Sequence, residues 1–147
     1  MIVIAKSVGR LCNRLLLFAH FMGVAIENGL TIANPAFWTY AHYFPSTAND
    51  LLCRFPARRS LPPPPGTRRP IYRVTQLLAN ALHALQRGGL DVGLIRLRRD
   101  QSLDLDGPDF LALALRHRFL FVQDWFFRGP LHCERHRDAI RSFFTPW

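Results

Sequence analysis

Apolar and polar positions follow one another along this chain in blocks of two lengths. Residues 1–5 (MIVIA) are wholly apolar and rich in β-branched side chains, the pattern of a short strand buried on both faces, and the run stops at Lys6-Ser7. Residues 15–26 are apolar apart from His20 and predict a buried helix, closed by Asn28-Gly29 with Gly29 as a left-handed C-cap. Residues 30–33 (LTIA) predict a second strand. Asn34-Pro35 then predicts a new helix, with Asn34 as N-cap and Pro35 at the first position. Phe37, Tyr40 and Phe44 fall at helical spacing along it and read first as a core stripe, second as a stacking platform for a sugar.

Farther on, Ile71, Val74, Leu77, Leu78, Leu82 and Leu85 recur at three- and four-residue steps, which predicts an amphipathic helix stopped by Gly88-Gly89. Residues 92–97 (VGLIRL) and 118–123 (RFLFVQ) read as strands, and a last helix is expected from about residue 131 to residue 144. Asp104-Leu105-Asp106-Gly107 lacks the ligand ladder of a calcium loop and reads as a turn that caps a helix beginning near Asp109. Strands and helices alternate, so the expected fold is α/β: one domain over residues 1–147, a mostly parallel sheet with helices on both faces, Rossmann-like.

Composition narrows the classes. A chain of 147 residues, 49% hydrophobic and 20% charged, holds enough apolar surface for one packed core. Residues 54–70 interrupt the pattern with five arginines and six prolines, a surface loop whose Pro62–Pro65 run favours polyproline II. Net charge is +9 and Lys6 is the single lysine. Arginine favours phosphate and carboxylate partners, although a genome biased toward arginine codons gives the same composition. Three widely spaced cysteines, an odd number without a Cys-x-x-Cys pair, predict free thiols in a reducing compartment, hence a cytoplasmic protein. The apolar run at 15–26 is short of the roughly 20 residues of a membrane span, and the first residues lack the pattern of a secretory leader. His132 and His136 sit four apart beside Cys133, but no third ligand stands at useful spacing; they read as a solvent-facing stripe, and no metal is expected. Carboxylates are scarce, ten in all and clustered mainly in one turn, and give poor support to a paired-carboxylate hydrolase.

Gly9-Arg10-Leu11-Cys12-Asn13-Arg14 joins the first strand to the first helix. A strand, a glycine turn and a helix N-terminus bring free backbone N–H groups and partial positive charge to one point, a site for an anion such as phosphate. Arg10 adds a planar fork suited to a diphosphate, and Asn13 adds a neutral donor and acceptor on the first turn. A plain turn at Gly9 and a solvated cation at Arg10 explain the same residues equally well.

The stretch Gly9-Arg10-Leu11-Cys12-Asn13-Arg14-Leu15 resembles the Gly-Arg-Leu-Gly-Asn-Gln-Leu signature near the N-terminus of α-1,2-fucosyltransferase-like glycosyltransferases. The similarity continues loosely through Phe18-Ala19 and Asn34-Pro35-Ala36-Phe37, and returns at Trp125-Phe126-Phe127-Arg128 and in the helix that closes at Thr145-Pro146. The resemblance implies the N-terminal lobe of a two-lobed GT-B enzyme, inverting and metal-independent, with GDP-fucose as donor and a glycan as acceptor. It places Gly9, Arg10 and Asn13 by the donor diphosphate and implies no bound cofactor. Two positions depart from the signature: Cys12 replaces a glycine and Arg14 a glutamine. The family's second-half donor motif, of the His-x-Arg-x-Gly-Asp type, is not found in these residues, so a C-terminal lobe is the expected missing partner and catalytic residues stay unassigned. The alternative function is a non-catalytic basic module that binds nucleic acid, a less favoured partner, or an acidic protein through Arg54–Arg73 and the Arg96, Arg98, Arg99 cluster. A remnant that keeps the fold without activity is a third reading.

Overall fold

The computed structural model describes residues 1–6, 8–58, 61–85, 91–98, 100–124 and 126–147. Strands β1 (Ile2–Ile4), β2 (Ile32–Ala33), β3 (Val92–Arg96) and β5 (Phe119–Gln123) form a sheet in the order β2-β1-β5-β3, and every neighbouring pair is parallel. A second, two-stranded parallel sheet joins β4 (Leu103–Asp104) to β6 (Phe127–Arg128). The helices are α1 (Leu11–Asn28), α2 (Pro45–Ala48), α3 (Arg68–Leu85), α4 (Pro108–Arg116), α5 (Pro130–Arg135) and α6 (Arg137–Phe143).

The sheet order explains which face each helix covers. The steps β1→β2 and β3→β5 move the chain one way across the sheet, and β2→β3 moves it the other way. Right-handed crossovers then put α1 and α4 on one face and α3 on the opposite face. Side chains agree with this layout. Ile2, Ile4, Ile32, Leu120 and Val122 share one face through their register and join Phe18 and Phe21 of α1 and Phe110 of α4 in one buried cluster. Gln123 points to the other face, where its Nε2 donates to Asn80 Oδ1 on α3 at 3.2 Å. The fold is α/β as the alternation predicts, with helices on both faces.

Aromatic rings fill the α1 face. Phe18 meets Phe37, Phe143 and Phe144 edge-on at 5.8, 5.7 and 5.3 Å, while Phe21 meets Phe110 and Phe127 at 5.9 and 5.2 Å. Helix α5 lies directly on α1 at Gly23, where an added Cβ would stand 2.7 Å from the Cys133 nitrogen and the His132 carbonyl carbon. Helix α1 ends at Gly29 with φ +63°.

Four local expectations change. Pro35 opens two separated 3₁₀ turns (Pro35–Phe37 and Ala41–Tyr43) instead of one helix; Phe37 and Phe44 are buried as core residues and Tyr40 only partly. The last helix breaks at His136 into α5 and α6. The amphipathic helix forms, but Thr75 and Ala79 turn inward while Val74, Leu77 and Leu78 are 52%, 68% and 53% exposed. Small side chains there let α3 lie close to the sheet, and the larger ones are left outside. Asp106, expected to cap the helix near Asp109, instead accepts the Leu131 and His132 amides of α5 at 2.8 and 3.1 Å. Gly88-Gly89 lies outside the described residues.

No helix among the described residues is long and apolar enough to cross a membrane. The thiols of Cys12, Cys53 and Cys133 are all free. Gly23→Ala is expected to force α5 off α1 and lower stability by about 1–3 kcal/mol, read as a lower urea midpoint at unchanged slope.

Candidate functional site

The carboxyl ends of β1, β2 and β5 point to the same edge of the sheet, which is where open α/β folds bind ligands. Strand β1 leads there to Lys6, Gly9 and the start of α1. Gly9 has φ +71°, and a Cβ on it would lie 2.9 Å from Asn13 Cβ and 3.0 Å from Asn13 Cγ. Only glycine lets the Asn13 amide lie over this turn. Arg10 is the N-cap residue, extended at φ −87° and ψ −176°, and its side chain makes no capping bond. The first backbone bond of the helix runs from Arg14 N–H to the Arg10 carbonyl at 3.2 Å. The amides of Leu11, Cys12 and Asn13 are therefore open among the described residues, with the dipole of an 18-residue helix behind them. The exposed Arg10 guanidinium is free of ion pairs among those residues.

Arg14 has the part that the sequence reading missed. Its Nε donates to the Gly9 carbonyl at 3.1 Å, and its Nη1 donates to Thr39 Oγ1 at 2.5 Å and to the Ala36 carbonyl at 3.4 Å. The guanidinium also lies 5.0 Å from the Tyr40 ring centre. The Gly9 carbonyl, which would repel an anion in the turn, is thus bonded to a cation, and the turn is tied to the residues after β2. Beneath it lies a cavity of about 10 Å³, lined by Lys6, Arg14 and Asn34 among others, room for a single water. Asn34 is 3% exposed, and among the described residues its Oδ1 has no hydrogen-bond partner.

At the end of β5, Asp124 holds φ +109°, a strained conformation for a residue with a side chain. Its carboxylate lies 3.6 Å from Lys6 Nζ. Cys12, at the position where the signature has glycine, is exposed on the flank of α1. It lines a shallow apolar groove of about 560 Å³ with Leu15, Leu16, Ile140 and Phe144. The structure therefore gathers Gly9, Arg10 and Asn13 at one turn, adds Lys6, Arg14, Asn34 and Asp124 around it, and leaves Cys12 to the side.

The two histidines of the last helix are not a solvent stripe. His132 Nδ1 lies 2.7 Å from Asp106 Oδ1, and His136 Nε2 lies 2.6 Å from Glu27 Oε2. Glu27 also pairs with Arg135, and its carboxyl is held below the usual range, chiefly by the His136 hydrogen bond. Sequence spacing could not show this, because Glu27 and Asp106 come from α1 and the β4–α4 turn. Among the described residues no group of three or more His, Cys, Asp or Glu is placed to hold a metal.

Two arginines of the basic loop are also internal. Arg54 Nε donates to the buried Asp50 carboxylate at 2.8 Å, and Arg68 donates to the Thr47 and Ala48 carbonyls at 3.1 and 2.6 Å. Arg68 also reaches Cys53 Sγ at 3.3 Å, yet burial dominates and pushes that thiol up to about 12. Arg59, Arg99 and Trp125 lie outside the described residues.

No family model, no curated protein and no solved structure matches the chain.

His20 gives this region a titration signature. It is 7% exposed, and its Nδ1 accepts the Gly129 N–H at 3.1 Å, which fixes the neutral Nε2–H tautomer. Burial, opposed by that hydrogen bond, lowers its pKa below the ordinary 6.5. The unfolded chain then binds the extra proton first. The contribution of His20 to stability is complete above pH 6.5 and falls as the pH drops from there toward the lowered folded value. Urea titrations between pH 7.5 and 5 are expected to show a smaller loss in His20→Gln than in the parent chain.

Proposed function

We propose that this chain is the N-terminal, Rossmann-like lobe of a nucleotide-sugar-dependent glycosyltransferase, fucosyltransferase-like in kind, whose β1–α1 turn holds the donor diphosphate. One observation carries the reading: the open first-turn amides of α1 stand beside the unengaged Arg10 at the carboxyl edge of a parallel sheet. Gly9 brings backbone close to the anion, Asn13 adds an amide over the turn, and Arg14 keeps the Gly9 carbonyl bonded. The strained Asp124 at the neighbouring strand end supports a functional edge, since such backbone gathers at working sites.

In transfer, negative charge grows on the bridging oxygen of the leaving nucleoside diphosphate as the sugar passes to the acceptor hydroxyl. Fixed donors at the turn stabilise that charge more than the ground state, which is an electrostatic contribution to the rate. Gly9, Arg10 and Asn13 bind in this scheme, and none of them moves a proton.

GDP is expected to raise Tm. At ten times Kd the stabilisation is about 1.4 kcal/mol, a rise of about 3–6 °C for a domain of this size. Arg10→Ala should remove the rise and leave the GDP-free Tm within about 1 °C, because the side chain is exposed and unpaired. Equal rises with GDP and with sulfate at matched ionic strength would mean a general anion site and would sink the nucleotide reading.

A further inference from the structure

Helix α3 carries its apolar side outward. At 3.6 residues per turn, Leu77 sits at the middle of the exposed face, with Val74 and Leu78 on one flank and Arg73 and Arg69 on the other. Both arginines are exposed, and the α3 sequence has no acidic residue. The surrounding sequence is equally one-sided: residues 51–90 include seven arginines and no aspartate or glutamate. Arg54 and Arg68 are committed internally, while Arg58, close by in sequence, is exposed, as is Leu61 at 89%.

We propose that α3 is an interfacial helix by which this chain docks on an anionic membrane surface. Charge complementarity selects that occupant: arginine flanks exposed leucine and valine along one helix side, and the helix itself carries no acidic residue. Leucine and valine are under-represented among the hot spots of protein interfaces, whereas leucine beside arginine is the composition of helices that lie in the headgroup layer. The β2→β3 crossover puts α3 on the opposite sheet face from α1, so docking leaves the β1–α1 turn uncovered. The proposal does not depend on the transferase reading.

Flotation with vesicles tests it, using phosphatidylcholine alone and phosphatidylcholine with 30% phosphatidylglycerol. The chain should float with the anionic vesicles and remain largely unbound with the neutral ones. Leu77→Gln with Leu78→Gln should weaken partitioning at least tenfold. Arg69→Gln with Arg73→Gln should weaken it about 25-fold, near fivefold per charge. Urea midpoints of both pairs should match the parent, since the residues are exposed. Binding lost in the arginine pair but unchanged in the leucine pair would overturn the proposal in favour of plain polyanion attraction. Equal competition by tRNA at matched charge would assign the face to nucleic acid. No binding to either vesicle, together with self-association that the leucine pair abolishes, would assign it to a second copy.

Discussion

The packing of α1 on the sheet through Phe18 and Phe21 is the constraint on which the rest of the molecule depends. Phe18 gathers the rings that follow β2 and those that close α6, while Phe21 gathers α4 and β6. Each buried ring contributes about 1.5–3 kcal/mol from area alone. One helix thus joins segments that are more than a hundred residues apart in sequence. It also fixes where its own first turn points, because a helix held by its middle cannot move its N-terminus.

That turn is prepared before anything binds. Gly9 takes the left-handed conformation, Asn13 lies over it, and Arg14 anchors its carbonyl to the segment after β2. Arg14, on the first turn of α1, is the residue that holds the turn in shape. Arg10 is left outside with its fork free. Two cations four residues apart therefore do different work, and their contacts decide which does which.

Charges elsewhere are divided in the same way. Arg54, Arg68, His132 and His136 are drawn into contacts with Asp50, backbone carbonyls, Asp106 and Glu27. Arg69 and Arg73 of α3 remain outside, beside its uncovered Leu77. Exposed arginines are spread over the molecule, Arg10 at the β1–α1 turn and Arg96, Arg116 and Arg141 among them, and Arg69 and Arg73 are the pair that flanks exposed leucine on α3.

The sequence by itself determined the alternating α/β layout, the wholly buried first strand, the Gly29 stop and the glycine turn of the candidate site. Each of these rests on local periodicity or on backbone preference within a few residues. Tertiary structure alone decided the strand order, the outward turn of Leu77 and Leu78, the split of the last helix and the partners of Arg14, His132 and His136. Those depend on which surfaces meet: Thr75 and Ala79 fit the sheet more closely than leucine does, and Glu27 meets His136 because α5 lies on α1 at Gly23. Periodicity marks a helix as two-sided, but the shape of the opposing surface chooses the side that is buried.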